Sequence, residues 1–425
     1  MKSLRTCVPA TLWLVLLIAR SLVSAQVSGP SARQQFAELR HSLREARDKN
    51  DWETYRTGAE VLRTLLNGSA NGLLEVARAD LKLGRTAEAR TEIPHLLDMG
   101  QADDALTTAP FDAFHDLTLS IAANRAPVSR GSLAWEIPDT ALLLEDLDYD
   151  AATHRFFVTS VLEKKIVVMD SAGKTTNFAT APDGWPMLAL KIDTKHRRVW
   201  ASEVALEGFT MVAKSDWGRS ALVCYELDKG TLLLRIEGPE HSALGDMILT
   251  QDGTAIVSDG RAEVSTGRAM ARDWSASMGG EFISPQTPTL DAKARHLFVP
   301  DYLRRIGVLD LSTRQVRWLP MDDKFALDGI DGLYLRHNTL LAVQNGASPE
   351  RVTAFELDTA HQKIVSQNLF ESATASLGDP THGVIVGSDF YYIANSGWDT
   401  LDEHGERKSD AKATPARIMR VQLSN

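Results

Sequence analysis

From about residue 140 onward, short apolar runs alternate with polar turns, and the runs come in groups of three or four. The first group covers 142–170: an apolar opening at 142–144, a polar turn at 150–154, an apolar run at 155–160, a charged link and a run at 166–170. Short apolar runs bounded by turn residues predict strands, and three in succession predict an antiparallel meander. The unit recurs with turns at Asp150, Asp193, Asp252, Asp291, Asn338 and Asp389. Their mean spacing of about 48 residues is the period of propeller blades.

The second run of each unit, at 155–160, 198–202, 254–259, 296–301, 340–345 and 391–395, is apolar and ends polar. Third runs follow at 166–170, 222–227, 306–311, 352–358 and 418–423, and fourth runs at 232–236, 315–319 and 363–366. The third unit shows no clear third run. The last unit lacks a fourth run, while an unassigned strand-like run stands at 133–137. Pairing of 133–137 with 418–423 would close the ring and remove an open edge. The expected fold is an all-β six-bladed β-propeller over 133–425.

Residues 34–124 differ in kind, with Ala, Leu, Arg and Glu dominating and apolar residues at helical spacing. Trp52, Tyr55, Ala59 and Leu62 make one face; Leu73, Leu74, Ala77, Leu81 and Leu83 lead to Gly84 and Ala87. This second stretch resembles a tetratricopeptide repeat, in which small residues let paired helices approach and a glycine ends the first helix. Two such pairs are too few for a solenoid. The expectation is a small all-α helical domain docked as a cap, or else a groove for a peptide or protein partner, joined through a linker at 125–132.

Met1 to Ala25 carries Lys2 and Arg5, an apolar stretch at 12–19 and small residues before Ala25. That is the pattern of a secretory signal peptide cleaved after Ala25, and predicts a secreted or periplasmic protein. No run is long enough for a membrane span. Cleavage would remove Cys7 and leave Cys224 in an apolar run, so no disulfide forms within the mature chain. The net charge of −10 with no basic block argues against nucleic acid.

In a meander the start of the innermost strand and the end of the second lie at the same end of the blade. Those positions collect Glu145, Asp146, Asp246, Gln286, Asp301, Asp328, Asn345, His382 and Asn395 at one mouth. A ring so rich in carboxylates and amides suits a divalent cation such as Ca²⁺; alternatively these residues cap turns and loops. Long second-to-third links at 204–220, 261–280 and 396–415 rise from the same mouth and carry Trp217, Trp274 and Trp398.

Residues 142–170, 244–253 and 327–332 resemble blades of six-bladed propellers of the regucalcin/gluconolactonase and paraoxonase type. The resemblance implies a metal held by a Glu opening the first blade, Asn residues opening middle blades and an Asp opening a later one. Glu145 matches the first and Asp328 the last, whereas Asp246 and Gln286 stand where Asn belongs. Two functions follow: a small ligand, peptide or protein bound at the polar mouth, or a metal-dependent lactonase or esterase. In the second, Glu145, Asp246, Asp328 and Asn345 hold the cation, His382 is the general base, and Asp146, Gln286, Asp301, Asn395 and Trp398 contact the ligand. No nucleophile-elbow serine, zinc-protease helix or paired-cysteine motif is present.

Overall fold

The computed structural model describes residues 30–423 apart from 261–262, 269–273, 277–279, 321 and 323, so the segment expected as a signal peptide lies outside the described residues. Ser31 onward belongs to one unit. Five helices open it: α1 (Ala32–Asp48), α2 (Trp52–Leu65), α3 (Ala70–Lys82), α4 (Thr86–Asp98) and, after three short 3₁₀ turns, α5 (Thr118–Asn124). Ser31 starts α1 with a capping box: its hydroxyl accepts from Gln34 N, and Gln34 Oε1 accepts from Ser31 N at 2.9 Å. Asp51 caps α2 through Thr54 N at 3.1 Å.

The rest is a β-propeller. Among the described residues its strands form five four-stranded sheets and one of five strands. The four-stranded sheets open with Leu144–Asp150, Met187–Asp193, Leu244–Leu249, Thr289–Leu290 and Gly383–Val386, and the five-stranded sheet opens with Ile330–Arg336. Each sheet runs outward by antiparallel neighbours; the opening strands of the first three sheets touch in turn, as do those of the last three, and Gly383–Val386 reaches back to Leu144–Asp150. Hereafter each sheet is numbered as a blade in chain order of its opening strand.

The apolar runs read as nearly continuous because both faces of each blade are covered. In Arg155–Ser160, Phe156 and Val158 pack toward Ile393 and Ile418 of blade six, whereas Phe157 packs toward Met187, Leu190 and Val199 of blade two. Cys224 is buried against Trp200 and Met247 in the next such core, and burial pushes its thiol up to about 12, away from the lowered range of thiolate nucleophiles.

Two details depart from the sequence reading. The third blade does have third and fourth strands, Glu263–Arg268 and Trp274–Ala276; the sequence of the first is polar, so no apolar run announces it, and backbone pairing with Thr254–Asp259 makes the strand. Within the expected linker, Val128–Ser129 adds the fifth strand to blade five, opposite Ser372 and Glu371. Ser132–Ile137 pairs antiparallel with Ala416–Gln422, so blade six contains both ends of the propeller sequence.

The helices do not form a solenoid. Their apolar faces are used against the propeller: Ile283 joins the core of α1 to α3, and Ala326 joins that of α3 to α5. Arg33 donates to Gly260 O, Ala102 N to Ser348 O at 2.6 Å, and Arg351 to Met99 O and Gly100 O at 3.1 and 2.9 Å. All these propeller residues lie at the mouth end of blades three to five, so the helical region is a fixed cover over half of the mouth.

The long links of blades two and six cover the other side by pairing with each other. Thr210 N donates to His404 O at 3.0 Å, and Phe209 meets Trp398 edge-on at 6.2 Å. Leu143, Val161 and Leu401 form the small core beneath them.

Candidate metal centre

A repeated backbone irregularity builds the centre. Between opening and second strands, the register slips at Leu144/Leu147, Met187/Leu190, Leu244/Met247 and Ile330/Gly332. A bulge of this kind re-aims side chains where a regular strand would alternate them. Glu145, Asp146, Asp246 and Asp331 all sit within these slips.

Hydroxyls near the ends of second strands lock the slips to the neighbouring blade. Thr159 donates to Leu188 O at 2.6 Å, Ser202 to Gly245 O at 2.9 Å and Ser258 to Gln286 O at 2.6 Å; at the ring closure Thr381 donates to Glu145 O at 2.8 Å. The polar ends seen in the second runs thus hold the mouth in register.

Three side chains from three blades converge there. Asp246 of blade three, Asp331 of blade five and His382 at the start of blade six bring one ligand atom each to within 4.8 Å of one another. His382 Nε2 lies 2.8 Å from Asp246 Oδ1, and its Nδ1 lies 2.8 Å from Glu145 O. A backbone carbonyl only accepts, so Nδ1 carries a proton and Nε2 faces Asp246. The Asp331 carboxylate accepts from Asn345 Nδ2 at 2.8 Å, and Asn345 Oδ1 accepts from Tyr302 OH at 2.9 Å. Gly329, at φ +67°, lets the turn approach Gly346 so closely that a Cβ there would lie 2.4 Å from the Gly346 carbonyl carbon. That approach sets Asp331 beside Asn345.

His382 is 1% exposed. Burial opposes its charge, but Asp246, Asp146 and Asp331 outweigh this and hold the imidazolium well above its ordinary range. Burial raises Asp331 to about 7, opposed by His382 and reinforced by Asp246 and Asp379. Burial likewise raises Glu145 to about 8, opposed by His382 and by the Trp398 indole, whose Nε1 donates to Glu145 Oε2 at 2.5 Å.

The donor set passes the chemical test for a divalent cation. Ligands at about 2.1 Å around one tetrahedral ion lie about 3.4 Å apart, inside the 4.8 Å that spans the three ligand atoms. One imidazole with two carboxylates suits a first-row transition ion or zinc better than Ca²⁺, which takes six to eight oxygens. The Nδ1 contact to a carbonyl is the outer support that metal-binding histidines commonly have.

Of the residues singled out from sequence, Asp246 and His382 meet, Asn345 stands one bond behind Asp331, and Glu145 touches His382 only through its backbone carbonyl while its carboxylate accepts from Trp398. Asp328 does not join them: it is 4% exposed and its Oδ2 accepts from Ala70 N, the first residue of α3, at 3.1 Å. Asp331, three residues on, occupies the place expected of it. Asp146 turns away to Leu190 N at 2.8 Å and Lys191 Nζ at 2.6 Å. Asp301 accepts from Ile283 N at 2.6 Å, Asn395 donates to Thr414 Oγ1 at 2.9 Å, and Gln286 donates to Ser284 Oγ at 3.1 Å. These three act as loop caps, the alternative role open to them from sequence. Trp398 does reach the centre through Glu145, whereas Trp217 packs beside Trp185 and Val212, and the side chain of Trp274 lies outside the described residues.

The fold and this centre define a β-propeller with a polar, partly covered mouth. No protein family profile and no curated protein matches the chain, so the tetratricopeptide resemblance of the helices has no support there. Among solved structures, the luciferin-regenerating enzyme aligns at 12% identity over 70% of this chain and 95% of that chain, with a TM-score of 0.48. Regucalcin from Agrobacterium tumefaciens str. C58, described as a calcium-binding protein, aligns at 13% identity over 69% of this chain and 96% of that one, TM-score 0.48. A nidogen/laminin complex aligns at 15% identity over 53% of this chain and 80% of that one, TM-score 0.41.

Proposed function

We propose that this chain is a cation-dependent propeller whose mouth binds a small, oxygen-rich ligand. Counting the five-stranded sheet as a blade gives a ring of six. The convergence of Asp246, Asp331 and His382 from three separate blades, within 4.8 Å, carries the reading. A divalent cation supplies Lewis-acid polarisation of a ligand oxygen. In its place the free protein keeps His382 protonated, burial opposing its charge and Asp246, Asp146 and Asp331 outweighing it.

Hydrolysis of a lactone or ester is a second reading, favoured by Glu145. This half-buried carboxyl stands next to the centre, and burial brings it to about 8, the range in which a general acid or base works best. Glu145, not the paired His382, then moves the proton, and the Trp398 indole orients its carboxyl. Export through the N-terminal segment belongs to the same proposal.

Metal analysis and calorimetry with Mn²⁺, Zn²⁺ and Ca²⁺ test the first reading. An ion at a hundred times its Kd stabilises the native state by about 2.7 kcal/mol, so chelator should lower the Tm. Absence of bound metal together with a chelator-insensitive Tm would overturn it. A panel of small lactones and esters assayed with each ion tests the second.

A further inference from the structure

We propose that the arginine face of α1 is a docking groove for an acidic, extended peptide segment of a partner protein. The inference is independent of the metal centre. Arg33, Arg40 and Arg44 are spaced seven and four residues apart, which puts them on one side of the helix. With Phe36 and Ala37 they line a cavity of about 490 Å³, whose far wall is Ile283, Ser284 and Leu303 of the propeller. Arg40, Arg44 and Arg47 also border the adjoining depression over Leu43, Tyr55 and Leu62. The basic row therefore follows a trough with an apolar floor for about 21 Å, at 1.5 Å of rise per residue.

Arg40, Arg44 and Arg47 are little committed within the fold. Arg33 anchors α1 through the Gly260 carbonyl. Among the described residues Arg44 makes no ion pair, the Arg40 guanidinium lies over the Phe36 ring at 5.8 Å, and Arg47 meets Asp48 at 3.9 Å. Among the described residues lining the trough the one acid, Glu75, is engaged by Tyr55 and Arg78. A basic row on a chain of net charge −10 is out of keeping with the whole and complements an acidic partner.

The geometry selects a peptide. Alternate residues of an extended chain lie about 6.6–6.8 Å apart, and Arg40 and Arg44 are separated by about 6 Å along the helix. Acids at every second position would meet successive guanidiniums, whereas a single small carboxylate would engage one. A nucleic acid is opposed by the negative charge of the whole chain. A bilayer needs a protruding apolar face, and none of the large exposed apolar residues lies on α1; the apolar floor is recessed.

The test is fluorescence anisotropy with a labelled peptide of alternating Glu and Ala, against full-length protein and the double variant Arg40→Glu/Arg44→Glu. Neither arginine packs in a core, so the variant should fold, which its melting curve checks. Expected results are binding that weakens with salt, a loss of roughly tenfold or more in the double variant and retention in Arg40→Lys/Arg44→Lys. No binding at low salt, equal binding by the charge-reversed variant, or preference for phosphatidylserine vesicles over the peptide would each overturn the proposal.

Discussion

Replacing Asp328 by Ala and, separately, Asp331 by Ala distinguishes a structural from a ligating carboxylate three residues apart. Asp328 receives the first backbone N–H of α3 and lies near the buried Arg351, whose guanidinium burial lowers to about 10. Burial raises Asp328 itself to about 6, so it is charged at pH 7. Losing a hydrogen bond to a charged acceptor is worth about 1.5–3 kcal/mol, and losing a negative charge at a helix N-terminus about 0.3–1 kcal/mol more. Asp328→Ala should therefore destabilise by roughly 2–4 kcal/mol, with cation affinity intact. At no more than about 2–4 °C per kcal/mol for a unit of this size, the Tm should fall by several degrees.

Asp331→Ala should do the reverse. Outer-shell changes alone cost about 10–100-fold in metal affinity, so removing a ligand should cost at least that. Without cation, removing a buried carboxyl near Asp246 and Asp379 relieves repulsion, and the Tm should hold or rise slightly. Scanning fluorimetry in chelator and calorimetry with Mn²⁺ or Zn²⁺ read both variants. A large affinity loss in Asp328→Ala, or an unchanged affinity in Asp331→Ala, would refute the assignment.

Glu203 is buried, its Oε1 without a hydrogen bond and 3.8 Å from Arg235 Nε, and burial, reinforced by Asp183, raises it to about 8. Its folded value exceeds the unfolded one, so its contribution is full below about pH 4.5 and is lost as pH rises toward 8; Glu203→Gln should flatten the Tm-versus-pH curve there, and an unchanged slope would count against this. Trp398→Phe removes the indole bond that lowers Glu145, so any hydrolytic activity should show its acid limb moved to higher pH, and an unmoved limb would exclude Glu145 as the base. Deleting 131–138 removes the partner of Ala416–Gln422 and exposes an edge, which should bring aggregation; a soluble variant that unfolds cooperatively would contradict that. N-terminal sequencing of exported protein should begin at Gln26.

The sequence by itself determined the propeller and the small helical region before it, because blade strands packed on both faces must be apolar, short and separated by turns. Phe156, Phe157 and Val158 announce their strand for that reason. It also determined that Glu145, Asp246 and His382 belong to one end of the ring, since antiparallel pairing fixes which strand ends are neighbours. The strand Glu263–Arg268, which has no apolar run, was invisible to it. Between Asp328 and Asp331 only tertiary structure could decide: the slip at Ile330/Gly332 and the close approach of Gly329 to Gly346 turn the second carboxylate to the axis and leave the first to the end of α3. The docking of the helices was equally a tertiary matter, because the apolar face of a helix says how much it buries but not against what, and here Ile283 and Ala326 of the propeller supply the partner.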